Sequence, residues 1–220
     1  MPNFDALRSA IIGPLSYICK PKLPPAELCG CWPLGVNDTA DKSRYGGSFL
    51  AGGSVAWDQN YSLPIIATSA FPLTFNLGRG LNVAQDFSAE FMFHSSSSYA
   101  ALQMTFGDFT LKLGRDGGTN KLVFYAYFGT AYVKVGNLTD TALNHICIYR
   151  KNGTLYGAAN GTAVALTASW SATGTVTSAT ISTASAVIQG ACNARFCQTG
   201  VGNSSSFPVP ATLYTGYEAL

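Results

Sequence analysis

Acid–base chemistry in this chain of 220 residues would have to draw first on three glutamates, Glu27, Glu90 and Glu218, and two histidines, His94 and His145. Glycoside hydrolysis, a common activity of large β-sandwiches, needs two carboxylates held about 5–9.5 Å apart. No Glu-x-Asp-x-x-Glu pattern sets two of them on one strand face, and the eight aspartates are scattered among turn-like contexts that favour capping and Asx-turn roles. Glu90 falls on the polar side of an alternating segment, and a carboxylate standing alone there is expected to find a structural partner. His145 opens another such segment and reads as a hydrogen-bonded structural histidine rather than a general base. His94 precedes Ser95 to Ser98, a polar loop without the Gly-x-Ser-x-Gly elbow of a serine nucleophile. Gly78-Arg79-Gly80 and Gly114-Arg115-Asp116-Gly117-Gly118 lack the Lys-Ser/Thr ending of a phosphate loop. Asp108 and Asp116 offer oxygens to calcium, but without EF-hand spacing. The expectation is a non-enzyme with no catalytic residue, no metal and no cofactor, so the weight moves to binding or assembly.

Cysteine and tyrosine supply the remaining candidates. The six cysteines are Cys19, Cys29, Cys31, Cys147, Cys192 and Cys197. Cys29-Gly30-Cys31 and Cys192-x4-Cys197 could present four thiolates, yet neither has the Cys-x2-Cys spacing of a zinc knuckle and no histidine lies nearby. Cys29, Cys31, Cys192 and Cys197 therefore stand as sites for a late disulfide in an oxidising medium, or as thiols. Cys147 alternates with His145 and Tyr149 and reads as a buried thiol. Tyr125 and Tyr127 share one strand face, opposite Leu122, Phe124 and Ala126, and Tyr132 follows on the next strand. Aromatic plates with neighbouring hydroxyls bind sugars, so Tyr125, Tyr127 and Tyr132 are the candidate glycan contacts; an interior face or a subunit contact is the competing reading.

The elements that must position these residues are strands. Phe87, Ala89, Phe91 and Phe93 alternate with Ser88 and Glu90, and Leu102, Met104 and Phe106 repeat the pattern. Further short segments follow over 109–113, 122–128 and 131–135, separated by Gly, Asn and Asp. Asn152-Gly153 and Asn160-Gly161 predict type I′ hairpin turns enclosing a short strand from Thr154 to Ala159. The Ala/Thr/Ser-rich stretch 163–186 favours strand through its β-branched residues. One helix is predicted, from Asn3 to Ile12, ended by Gly13-Pro14 and followed by the proline-bearing stretch from Pro21 to Pro33. The expected organisation is an N-terminal arm over residues 1–31 and an all-β, two-sheet antiparallel jelly roll over 32–220.

Charge narrows the partners. Charged residues make up 11% of the chain against about 25% in typical domains, and the net charge is +2. That balance gives no track for a phosphate backbone, so nucleic acid is not an expected partner. No apolar run reaches the roughly 20 residues of a membrane helix. The N-terminus has no basic start followed by an apolar segment, which places synthesis in a cytoplasm. The six Asn-x-Ser/Thr sequons, at Asn37, Asn60, Asn137, Asn152, Asn160 and Asn203, then read as turn asparagines. With 20 Ser and 20 Thr, much of the surface must be hydroxyl, which is easily desolvated at contacts between subunits.

Four segments in order resemble the laminin-G-like, concanavalin-A-like lectin superfamily, in particular its copies in bacteriophage structural proteins. They are Asp38 to Ser43, Asp86 to Phe93, Asn144 to Arg150 followed by Asn160-Gly161, and Phe207 to Pro210, within roughly residues 32–216. The resemblance implies a jelly roll and a virion protein made in the host cytoplasm, a tail- or fibre-associated adhesin binding host surface glycans. It would be held to other virion proteins through residues 1–31 and form a homo-oligomer, a trimer by analogy. A capsid or tail decoration protein is the alternative, and a carbohydrate-active enzyme the remote one.

Overall fold

The computed structural model describes residues 28–32, 39–52, 56–57, 64–65, 72–95, 102–107, 109–115, 122–128, 131–139, 143–166, 174–183 and 190–198. The predicted helix over 3–12 and the segment 207–210 lie outside them.

Fifteen strands run through the described residues, which contain no helix. An eight-stranded antiparallel sheet is built from β1 (Leu28–Trp32), β3 (Ala56–Trp57), β4 (Pro64–Ile65), β6 (Phe87–Ser95), β11 (Leu143–Lys151), β12 (Thr154–Ala159), β13 (Thr162–Ala165) and β15 (Gly190–Cys197). Its order is β13-β12-β11-β6-β15-β4-β3, with β1 also paired to β15. A seven-stranded antiparallel sheet is built from β2 (Ser48–Ala51), β5 (Leu73–Asn82), β7 (Leu102–Phe106), β8 (Phe109–Arg115), β9 (Leu122–Phe128), β10 (Ala131–Asn137) and β14 (Thr175–Thr183), in the order β10-β9-β8-β7-β14-β5-β2. The expected all-β sandwich is the observed fold.

Strand alternation determines which side chains lie between the sheets. Phe75, Phe124, Ala126, Ala179 and Ile181 face inward from one sheet and Phe87, Ala89, Phe91, Ile146, Ile148 and Phe196 from the other, all almost fully buried. Trp32 joins the two layers, with its ring centroid 5.3 Å from Phe75 and 6.0 Å from Phe196. Removing each large side chain from water contributes about 1.5–3 kcal/mol, which makes this aromatic cluster a main source of stability.

Both predicted hairpin turns form. Asn152 and Gly153 have φ of 50° and 79°, Asn160 and Gly161 of 47° and 83°. Positive φ at both central residues is the type I′ requirement, and it places Thr154–Ala159 as β12.

The boundary expected at residue 31 falls inside a strand. Leu28 to Cys31, assigned to the arm, are in β1, whose five residues are all buried and pair antiparallel with β15. Leu-Cys-Gly-Cys-Trp has no alternation because both faces of the strand are covered, and the prolines around it obscured the strand. Gly78-Arg79-Gly80 is an irregular stretch of β5, where the register against β14 shifts between Val176 and Ser178. Arg79 Nη1 there donates to Tyr45 Oη at 3.1 Å. No helix among the described residues is long and apolar enough to cross a membrane.

Candidate functional site

The outward face of the seven-stranded sheet brings two of the three candidate tyrosines together. Phe124 and Ala126 of β9 point into the core, so Tyr125 and Tyr127 must point away from it, and both are half-buried. Lys112 of β8 sets its Nζ 5.0 Å from the centroid of the Tyr127 ring. Tyr132 of β10 is the direct cross-strand partner of Tyr127, which places it in the same row.

That row crosses the whole sheet. In register order it reads Leu50, Thr74, Thr180, Thr105, Thr110, Tyr127 and Tyr132, one residue from each strand. Thr74 Oγ1 and Thr180 Oγ1 are 3.3 Å apart and share a hydrogen bond. Beside it runs a second row of Ser182, Gln103, Lys112, Tyr125 and Lys134. Four threonines (Thr105, Thr175, Thr177 and Thr180) with Ser178, Gly107 and Val176 line a mainly polar groove of about 260 Å³ where the register of β14 against β5 shifts. Aromatic plates, hydroxyls and a groove on one exposed sheet face can stack against a sugar ring and hydrogen-bond its hydroxyls. Sequence reading found the tyrosines by alternation, whereas the threonines come from four different strands and Lys112 carried no motif.

The other candidates lie on the eight-stranded sheet. Glu90 of β6 is fully buried on the face turned away from the sandwich core, and Arg195 of β15 and Cys147 of β11 are its direct cross-strand partners. Arg195 Nη2 donates to both carboxylate oxygens, and His145 Nε2 lies 3.2 Å from Glu90 Oε2. A carboxylate can only accept, so Nε2–H donates. His145 is itself located by Asn160, whose Oδ1 accepts the His145 N–H at 2.8 Å. Burial alone would raise the Glu90 carboxyl; the His145 hydrogen bond and the Arg195 guanidinium outweigh it and hold it below its ordinary value of 4.5. This carboxylate is closed off in a structural ion pair, which is the role its isolation in the sequence indicated; Arg195 was the member that reading missed. Burial, reinforced by the Glu90 charge, pushes the Cys147 thiol well above its ordinary value and makes it a poor nucleophile.

Cys29, Cys31 and Cys197 are buried thiols where β1 meets β15. Leu28 pairs with Cys197 and Cys31 with Arg195, while Cys29 occupies a register shift. Cys192 is the cross-strand partner of Phe93. Among the described residues, no group of three or more His, Cys, Asp or Glu side chains could hold a metal ion. Asp41, in the Asp38–Ser43 segment, accepts the Cys31 and Ser43 N–H groups on Oδ1 and Ser43 Oγ–H and the Gly47 N–H on Oδ2, at 2.6–2.8 Å. It ties the loop before β2 to β1.

No family model and no curated protein matches the sequence. Among solved structures, the botulinum neurotoxin serotype D binding domain superposes with a TM-score of 0.61 at 11% identity, over 80% of this chain and 49% of that one. The Emp47p carbohydrate recognition domain superposes with a TM-score of 0.57 at 10% identity, over 83% of this chain and 99% of that one. The fold is a lectin-like β-sandwich. A third such structure, the binding domain of botulinum neurotoxin DC in complex with SialylT, has a TM-score of 0.58 at 11% identity. The chain spans about half the length of the neurotoxin domains and nearly the full length of the Emp47p domain. Within this lectin-like sandwich the Tyr125–Tyr127 face belongs to the seven-stranded sheet, and the Glu90 ion pair to the eight-stranded one.

Proposed function

We propose that the chain is a non-enzymatic glycan-binding module of a bacteriophage virion, placed on a tail or fibre and attaching to host surface glycans through the outward face of the seven-stranded sheet. The observation that carries the reading is the juxtaposition of Tyr125 and Tyr127 with the threonine row and its groove. Support comes from the carbohydrate recognition domain and the sialyl-ligand complex among its structural neighbours. The virion setting rests on the resemblance of four ordered segments to phage lectin-like domains and on the charge-poor, hydroxyl-rich composition. Residues 1–27, preceding β1, would supply the attachment to other virion proteins.

The test is binding of the purified chain to a glycan array, with Tyr127→Ala beside the wild type. Expected are retained signals for the wild type and at least a roughly tenfold loss for the variant at an unchanged melting temperature, since a stacked aromatic is a typical contact hot spot. No glycan binding by the wild type overturns the reading. Particle reconstruction tests the location; density for the chain on a capsid face instead would support a decoration protein. The threonine row ending in Leu50, which is 56% exposed, favours that second reading because an exposed apolar side chain beside hydroxyls also suits a protein partner.

A further inference from the structure

The two sheets divide the charges unequally. The seven strands β2, β5, β7, β8, β9, β10 and β14 contain four charged residues, Arg79, Lys112, Arg115 and Lys134, and every one is a cation. Among the described strands the carboxylate is Glu90, which is on the opposite sheet and is engaged by Arg195 and His145. Two of the four cations lie within the candidate site. Lys112 and Lys134 are the cross-strand partners of Tyr125 on its two sides, so one row reads lysine, tyrosine, lysine across β8, β9 and β10. At the ordinary strand spacing their Cα atoms are about 10 Å apart with the tyrosine between. Lys134 is exposed, and the Lys112 ammonium leans over Tyr127.

An aromatic plate flanked by two ammonium groups, in described strands whose charged residues are all cations, complements a saccharide that carries negative charge. We infer that the ligand of this face is an acidic glycan, a sugar bearing carboxylate groups whose ring stacks on Tyr125 or Tyr127 while its carboxylates pair with Lys112 and Lys134. The inference rests on the glycan-binding reading and narrows it to one chemical class. A neutral sugar would leave both lysines without a role in recognition, whereas a carboxylated one gains charge-assisted hydrogen bonds that are stronger than neutral ones.

The experiment measures binding of the full chain to three polymers by biolayer interferometry: alginate, which is a polyuronate, dextran, which is neutral, and polyphosphate, which is anionic without being a sugar. The wild type is compared with the double variant Lys112→Gln/Lys134→Gln and with Lys151→Gln, whose lysine is on the eight-stranded sheet. Expected is alginate binding at least about tenfold tighter than dextran binding, reduced to the dextran level in the double variant and weakened by added salt, as charge pairing near a surface requires. Lys151→Gln should bind like the wild type. Equal binding of alginate and dextran overturns the acidic class while leaving the glycan reading standing. Absence of binding to both overturns the two together. Polyphosphate binding as tight as alginate, or loss of alginate binding in Lys151→Gln, shows charge attraction alone and also overturns the inference. Unchanged far-UV circular dichroism and melting temperature in the double variant exclude misfolding as the source of a loss.

Discussion

Arg195 grips both oxygens of the Glu90 carboxylate, its Nη2 lying 3.0 Å from Oε1 and 2.9 Å from Oε2, with Nε 3.2 Å from Oε1. Both side chains are almost wholly removed from solvent, and they come from strands 105 residues apart in sequence. In such a place each charge is tolerable because the other is present.

Breaking the pair from one side should therefore be costly. Arg195→Met takes the guanidinium away from a buried carboxylate that keeps the His145 hydrogen bond, and is expected to lose about 3–5 kcal/mol, read from urea unfolding. The double variant Glu90→Leu/Arg195→Met replaces both charges with apolar groups and should recover most of that loss. A double variant as unstable as the single one would show that the pair is more than mutually compensated charge.

Acid should act through the same carboxylate. Its folded value lies below the ordinary 4.5, so its contribution is complete above that value and is lost as pH falls through the folded one. Melting temperatures taken from about pH 6 down to about pH 3 should fall more steeply for the wild type than for Glu90→Gln, which has no proton to gain there. Parallel curves would contradict the direction of the shift.

Alkali should act through other groups. Burial pushes the Cys29 thiol from 9.0 up to about 11, and burial together with Cys147 and the neighbouring Tyr156 pushes Tyr149 from 10.0 up to about 12. The unfolded chain releases these protons first, so stability should decline as pH rises from 9 toward 11. At neutral pH, peptide mapping after iodoacetamide should find Cys29, Cys31, Cys147 and Cys197 unmodified in the folded protein and modified in urea, because all four thiols are buried.

Gly30 should resist enlargement. A Cβ there would lie 2.5 Å from Trp32 Cζ3 and 2.7 Å from Cη2, while Trp32 is itself packed against Phe75 and Phe196. Gly30→Ala is expected to cost about 1–3 kcal/mol in thermal or urea unfolding, the usual penalty for overpacking a filled core. A variant as stable as the wild type would mean that the indole can shift without loss.

Local chemistry was enough to read the strands and their turns. The alternation of Phe87 to Phe93 puts one set of side chains inward whatever the partner strand is, and Asn152-Gly153 and Asn160-Gly161 reach positive φ through their own backbone preferences. The same alternation placed Tyr125 and Tyr127 on one face. It could not show β1, because a strand covered on both sides loses the polar half of the pattern. Nor could it assemble the lysine–tyrosine–lysine row, the threonine run from Thr74 to Thr110, or the meeting of Glu90 with Arg195. Those neighbours are set by strand order and register, which arise when distant segments pair to bury their apolar faces together, and one residue of slippage would turn each of them to the opposite side of its sheet.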